Sequence, residues 1–326
     1  MRAIVQDTYG EAEDVLRLKQ VPLPRPADGE VLVRVHAAGV DRGAWHLMAG
    51  LPYPVRLAGY GLRKPKTQVR GREFAGRIEA LGAGVTGFEV GDAVYGVGEG
   101  CFAEYAHASA AKIAPKPKNL TFEEAAAVPI SAMTALQGLR DSGQVKRAQH
   151  VLVIGASGGV GTFAVQIAKA FGAEVTGVCS TAKTGLAWSI GADHVIDYTR
   201  DDITGTRYDV ILDIGGHRSL THLRRALRPH GTLVIVGSET GGRWLGGFDR
   251  SLRAPMLSAF VDQKLRALMN SENSADLLAL TELIETGAVA PVIDQVYALD
   301  ETPAAIERMQ AGRVKGKLVI SVKTDA

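Results

Sequence analysis

The stretch Val151–Phe171, VLVIGASGGVGTFAVQIAKAF, decides how this chain is read. Four apolar residues, Val151 to Ile154, are long enough for a buried strand, and a turn follows, Gly155-Ala156-Ser157-Gly158-Gly159-Val160-Gly161. Phe163, Val165, Ile167, Ala168 and Phe171 then recur at helical spacing. Strand, glycine turn and helix form the unit that sets bare backbone N–H groups against a phosphate. Gly158 lets the backbone approach a pyrophosphate, and Gly161 lets the helix lie close on the strand. A strict GxGxxG would need glycine at position 156, where this chain has Ala156 between Gly155 and Ser157. The strand before the turn and the helix after it make the stretch a dinucleotide site in spite of that gap.

Outward from this motif, the bulk numbers set bounds. A length of 326 residues fits two domains, and 46% apolar with 22% charged residues is an ordinary globular composition. A net charge of +2 is too balanced to point to nucleic acid or an anionic membrane as partner. No apolar run is long enough for a transmembrane helix, and MRAIVQDTYG has no signal-peptide core, so a cytoplasmic protein is expected. Cys101 and Cys179 alone make neither a zinc cluster nor a disulfide framework.

Residues 1–120 read as an antiparallel β region: Val31–Ala37 alternates as a half-buried strand does, and Phe74–Leu81 and Asp92–Val97 are further strands. A long loop at 50–72 carries Arg56, Arg63, Lys64, Lys66, Arg70 and Arg72, expected as a solvated basic face. Thr121-Phe-Glu-Glu124 is a capping box that opens a helix. From 121 to 270 strands and helices alternate, with strand signals at Val151–Ile154, Glu174–Val178, His194–Ile196, Asp209–Ile214, Gly231–Val236 and Lys264–Met269. Such alternation predicts an α/β, doubly wound parallel sheet of Rossmann type. Gly237–Phe260 reads as a second glycine-rich loop. The tail, 271–326, returns to β character at Val292–Ala298 and Lys317–Val322, so it is expected to rejoin the first domain.

The end of the second strand bears on cofactor choice. An NAD site wants an acid there, about 20 residues past the glycine turn, to hold the ribose 2′-OH. This chain has Ser180 in that place and Lys183 three residues on, in a stretch with no carboxylate to repel a 2′-phosphate. The pair favours NADPH.

These residues bring a family into view. GASGGVGTFAVQIAKAFGAEVTGVCST, followed by Gly191–Tyr198 (GADHVIDY), resembles the medium-chain dehydrogenase/reductase superfamily, most of all its NADPH quinone oxidoreductase branch. Gly71–Gly76, Gly91–Gly96, Phe102–Tyr105, Ala125–Pro129 with Thr134-Ala135, and Gly316–Ile320 extend the resemblance along the whole chain. It implies a GroES-like, β-rich catalytic domain split around the Rossmann domain, with the active site in a cleft. It also implies that Gly158, Gly159, Val160 and Gly161 hold the pyrophosphate and that Ser180, Lys183 and Tyr198 surround the 2′-phosphate. Thr134, and the turn Gly237-Ser238, would lie near the nicotinamide. Relatives pair the edge strand at Lys264–Met269 across a two-fold axis, so a homodimer is expected.

Alcohol dehydrogenases of this superfamily bind zinc through Cys, His and Cys, and the matching positions here are Asp41, Arg72 and Ile130, which cannot hold it. Without a metal, reduction of a quinone or of the C=C bond of an α,β-unsaturated carbonyl suits the site, because a few hydrogen-bond donors then suffice for the developing oxyanion. The segment Asp41–Tyr53 fronts the cleft in relatives. Tyr53 and His46 are the expected donors, Trp45 an apolar wall, and Asp41 the third residue in view. An NAD(P)-dependent alcohol or aldehyde dehydrogenase-reductase, and an NADPH-binding protein without turnover, are the competing readings.

Overall fold

A computed structural model describes residues 1–237 and 242–322. The chain divides into two compact units, one of Met1–Ser131 with Glu272–Glu285 and Pro291–Ala326, the other of Ala132–Ser271 with Thr286–Ala290. The first unit therefore runs past residue 120, because the helix Phe122–Ala126 packs on the strands Glu30–Val40 and Glu73–Leu81. The capping box holds that helix start: Thr121 Oγ1 accepts from Glu124 N (3.2 Å) and a Glu124 carboxylate oxygen accepts from Thr121 N (2.8 Å).

The first unit is built on a seven-stranded sheet. Its order is Ile293–Ala298, Lys317–Ser321, Glu30–Val40, Glu73–Leu81, Ala93–Val97 and Ile113–Pro115, with Tyr105–Ser109 also paired to Glu30–Val40. All pairings are antiparallel except that between the two tail strands. In Glu30–Val40 the expected alternation holds from Val33 to Ala37, where Val33, Val35 and Ala37 are buried and Arg34 and His36 only half-buried, while Val31, Leu32, Ala38 and Val40 are buried on either side of it. The basic loop departs from the expected solvated face. Arg56–Tyr60 forms a π-helical turn, Arg70 is buried, and only Arg63, Lys64 and Lys66 stand fully in water.

The second unit is a six-stranded, wholly parallel sheet in the order His194–Asp197, Glu174–Cys179, His150–Ile154, Tyr208–Asp213, Leu227–Ile235, Lys264–Ala267. Strands buried on both faces read as unbroken apolar runs, which is why the inner strands His150–Ile154, Glu174–Cys179, Tyr208–Asp213 and the end of Leu227–Ile235 stand out in the sequence. The order reverses between His150–Ile154 and Tyr208–Asp213, the switch point where such sheets bind ligands beyond the strand ends. The expected loop at 237–260 is mostly helical where it is described, Gly242–Leu245 and Phe248–Ser258. Its glycines, and Pro255 inside the longer helix, concealed the pattern.

Candidate functional site

The glycine turn sits at the switch point. Gly155 N and Ala156 N both donate to Val178 O at 3.0 Å, while Ile214 N and Gly215 N donate to Ile154 O at 3.1 and 3.3 Å. The three strand ends are thereby laced together. Gly155, at φ 90°, takes the left-handed turn position, so Ala156 can be an alanine, fully buried beneath it. A Cβ on Gly161 would stand 2.0 Å from Gly155 O, so glycine is what lets the helix Gly159–Ala170 close on the turn. A Cβ on Gly158 would meet nothing nearer than Gly155 O at 3.6 Å. Its missing side chain is not a packing need. It leaves the approach to the helix start open, and the first N–H groups there, from Gly159, Val160 and Gly161, have no acceptor within their own helix. This start fits a pyrophosphate.

Ser180, Lys183 and Tyr198 come together at one edge of the turn. Tyr198 N donates to Cys179 O (3.1 Å) and Lys183 N to Ser180 O (2.9 Å). The Ser180 side chain caps nothing, and Tyr198 is exposed. One sequence expectation fails here: a carboxylate does lie close by. Asp197 is paired in register with Cys179, accepts from the Thr181 hydroxyl, and accepts from Thr199 N (3.0 Å) and Thr199 Oγ1 (2.8 Å). The Thr181 hydroxyl, ahead of the Thr199 donors and Arg200, holds the Asp197 carboxyl below the usual carboxylate range. The sequence signal was the pairing register of two parallel strands, which no local pattern gives. Elsewhere in this unit, Thr134 Oγ1 accepts from Asn270 Nδ2 at 2.7 Å. Gly237 follows the strand Leu227–Ile235, where a Cβ would fall 2.6 Å from Ile214 O. Ser238 lies outside the described residues.

In the first unit, Asp41, His46 and Tyr53 lie on one short piece of chain. Asp41 caps the helix Arg42–Ala49, its Oδ1 accepting from Ala44 N at 3.1 Å. Asp41 is 6% exposed, and its Oδ2 has no hydrogen-bond partner. Its cap role is structural, and a substrate-facing role rests on Oδ2 alone. His46 Nδ1 lies 2.8 Å from Leu51 O. A carbonyl only accepts, so Nδ1 carries the hydrogen in this contact. Tyr53 sits under the Arg56 guanidinium at 5.0 Å, which also covers Tyr9 at 4.4 Å. Trp45 packs against the core of its unit.

The residues at the zinc-ligand positions do not fit the ion. Arg72 Nη2 donates to Glu272, which Lys112 also reaches at 2.9 Å. Burial alone would pull the Arg72 guanidinium down; Asp41 and Glu272 more than offset it and hold it above its ordinary value. Ile130 has an aliphatic side chain with no metal-ligating atom, and its N–H donates to Glu73 Oε2 at 2.9 Å. Glu73 in turn pairs with Lys317, both buried. Burial pushes the Glu73 carboxyl up against the pull of that ammonium. Among the described residues no group of three His, Cys, Asp or Glu side chains could hold a metal. Cations, Arg72, Lys112 and Lys317, occupy the neighbourhood instead.

A parallel switch-point sheet with a glycine turn, joined to a GroES-like β unit, defines a nicotinamide-type oxidoreductase. Comparison with known proteins agrees. A family model described as "Alcohol dehydrogenase GroES-like domain" matches residues 27–118, and one described as "Zinc-binding dehydrogenase" matches 190–320, a span that includes none of Asp41, Arg72 and Ile130. The mitochondrial NAD(P)H oxidoreductase RTN4IP1 of Danio rerio is 31% identical over 100% of this chain and 92% of its own length. The 2-methylene-furan-3-one reductase of Solanum lycopersicum is 32% identical over 98% of this chain and 79% of its own length. The solved quinone oxidoreductase of Coxiella burnetii matches with a TM-score of 0.84 at 28% identity, covering 99% of each chain. The chain belongs to the medium-chain dehydrogenase/reductase superfamily, in its quinone oxidoreductase branch.

Proposed function

We propose that this oxidoreductase is zinc-independent, uses NADPH, and reduces quinones or the C=C bond of α,β-unsaturated carbonyls. One observation carries the reading: an intact nucleotide turn in one unit is accompanied, in the other, by Asp41, Arg72 and Ile130 where a zinc site would need three ligands. Bound NADPH supplies a hydride for an electron-poor carbon. Gly158, Gly159, Val160 and Gly161 hold its pyrophosphate, Ser180, Lys183 and Tyr198 its 2′-phosphate, and Thr134 and Gly237 flank the nicotinamide end. The substrate oxygen gains negative charge as the hydride arrives, and a neutral donor such as the Tyr53 hydroxyl stabilises it without a Lewis acid. Water returns the proton. The relatives' names, covering quinone and enone reduction, support this substrate class.

Anaerobic stopped-flow with NADPH and a panel of quinones and enones tests the reading, with the products of an enal identified. Chelator-resistant NADPH oxidation that yields the saturated aldehyde supports it. Alcohol oxidation with NAD⁺ that depends on added zinc would sink it.

The proposal extends to assembly and place. Lys264–Ala267 ends the parallel sheet, and two-fold pairing along it would cover an open edge in a homodimer. Met269, just beyond that strand, is 90% exposed. In sedimentation velocity the protein is expected as a dimer and Met269→Asp as a monomer with unchanged melting; a monomeric wild type refutes the pairing. Cys101 and Cys179, both free and buried, accord with a cytoplasmic protein.

A further inference from the structure

A second concave site lies wholly within the nucleotide-binding unit, apart from every residue assigned above to NADPH. It is a groove of about 700 Å³ between the loop before helix Leu220–Ala226 and the helix Phe248–Ser258. That volume is within the range of small-molecule sites. Three guanidiniums line it, those of Arg218, Arg250 and Arg253. Arg250 Nη2 is paired at 2.5 Å with the fully buried Asp213, but its Nε and Nη1 are buried without an acceptor. Arg253 has only Asp249, at 3.7 Å, and Arg218 has no acceptor among the described residues. Three cations thus face two carboxylates, and the groove keeps a surplus positive charge. The rest of the wall is apolar: Met256, Leu257 and Phe260, of which Met256 is 71% and Phe260 85% exposed.

A cationic end joined to an apolar wall selects one kind of occupant by charge and solvation together. Free phosphate would leave Met256 and Phe260 in water, and a neutral hydrocarbon would leave the guanidinium charge unanswered. We infer that the groove binds a small amphipathic monoanion, a carboxylate on an apolar chain, at a site separate from the cofactor. The carboxylate sits against Arg218 and Arg253, over the Asp213–Arg250 pair, and the chain lies along Leu257, Met256 and Phe260.

Isothermal titration of the whole protein with decanoate, decan-1-ol and acetate tests this, with and without saturating NADPH. Saturable, one-to-one decanoate binding that NADPH does not displace is expected, with decan-1-ol and acetate each weaker by about tenfold or more. Arg218→Glu with Arg253→Glu should weaken decanoate by a similar factor and leave NADPH affinity unchanged. Phe260→Ser, at an exposed position, should cut decanoate binding and leave acetate alone, and it serves if the charge-reversed pair does not fold. Absence of saturable decanoate binding, equal binding of decan-1-ol, displacement by NADPH, or full affinity in both variants would each overturn the proposal. A sedimenting dimer that takes up no decanoate overturns it too, since the groove is then covered by the second copy.

Discussion

Ser180 and Asp197 place opposite demands on the ribose 2′ position. A serine hydroxyl can donate to a 2′-phosphate, whereas a carboxylate repels it and accepts from a 2′-hydroxyl. Asp197 is held by Thr181, Thr199 and Arg200, so its charge is partly answered before a cofactor arrives. Lys183→Glu should weaken NADPH binding by about 1–3 kcal/mol and leave NADH little changed. Fluorescence titration of both cofactors checks it, and equal loss of both would mean that Lys183 acts through the fold. Asp197→Asn should move the ratio of the two affinities toward NADPH. Ser180 and Lys183 were legible because they fall at a fixed distance from the glycine turn. Asp197 was not, because only the register Asp197↔Cys179 brings it there. The same limit applies to His46, whose Nδ1 hydrogen is held by a carbonyl five residues on.

The helix that follows the turn separates two uses of glycine. Gly161→Ala would drive a Cβ into Gly155 O and Ala156, so the helix must shift, and a loss of about 2 kcal/mol or more with weakened NADPH binding is expected. Gly158→Ala meets no backbone that close, so melting should be nearly unchanged while NADPH binding falls. A thermal melt beside a cofactor titration distinguishes them; if both variants melt like the wild type, the packing role of Gly161 is wrong. The far end of this helix is tied by Lys169 Nζ, which donates to both Asp193 oxygens at 2.7 and 2.8 Å. Burial raises the Asp193 carboxyl, but Lys169 and the Val175 N–H outweigh it and hold it below the usual range. A depressed carboxylate stabilises the fold above its unfolded pKa of about 3.9 and loses that contribution as pH falls further. Asp193→Asn should therefore cost at most about 1 kcal/mol near neutrality, the pair being partly exposed, and the difference from wild type should vanish toward pH 3 in urea titrations. The four inner parallel strands were visible as apolar runs because both faces are covered, whereas the edge strands His194–Asp197 and Lys264–Ala267 are only partly buried. The helix Phe248–Ser258 was not, since among the described residues its inward stripe is only Ala254 and Leu257 while Leu252 and Met256 point to water, and Pro255 interrupts the pattern.

Across the whole molecule, the chain's tail is stitched to its early strands by charge as well as by hydrogen bonds. Lys317–Ser321 pairs with Glu30–Val40, and Lys317 Nζ reaches Val40 O (3.2 Å) and the Glu73 carboxylate, in a place where both side chains are almost fully buried. Glu73 also accepts from Ile130 N, so this one carboxylate joins its own strand to two distant segments, at 130 and 317–321, while Lys317 reaches Val40 O in turn. That a tail strand returns could be read from its β character. That it returns through a buried ion pair could not, because a lysine in GKLVI looks like any surface lysine. A buried pair adds little over an apolar replacement, but breaking one side leaves an uncompensated charge. Lys317→Met should thus cost about 3–5 kcal/mol in urea unfolding. Glu73→Gln with Lys317→Met should recover part of that loss, because the amide oxygen still accepts from Ile130 N with no charge left buried. A coupling of at least about 1 kcal/mol between the two positions is expected, and simple additivity would show that the tail is held by its strand pairing alone.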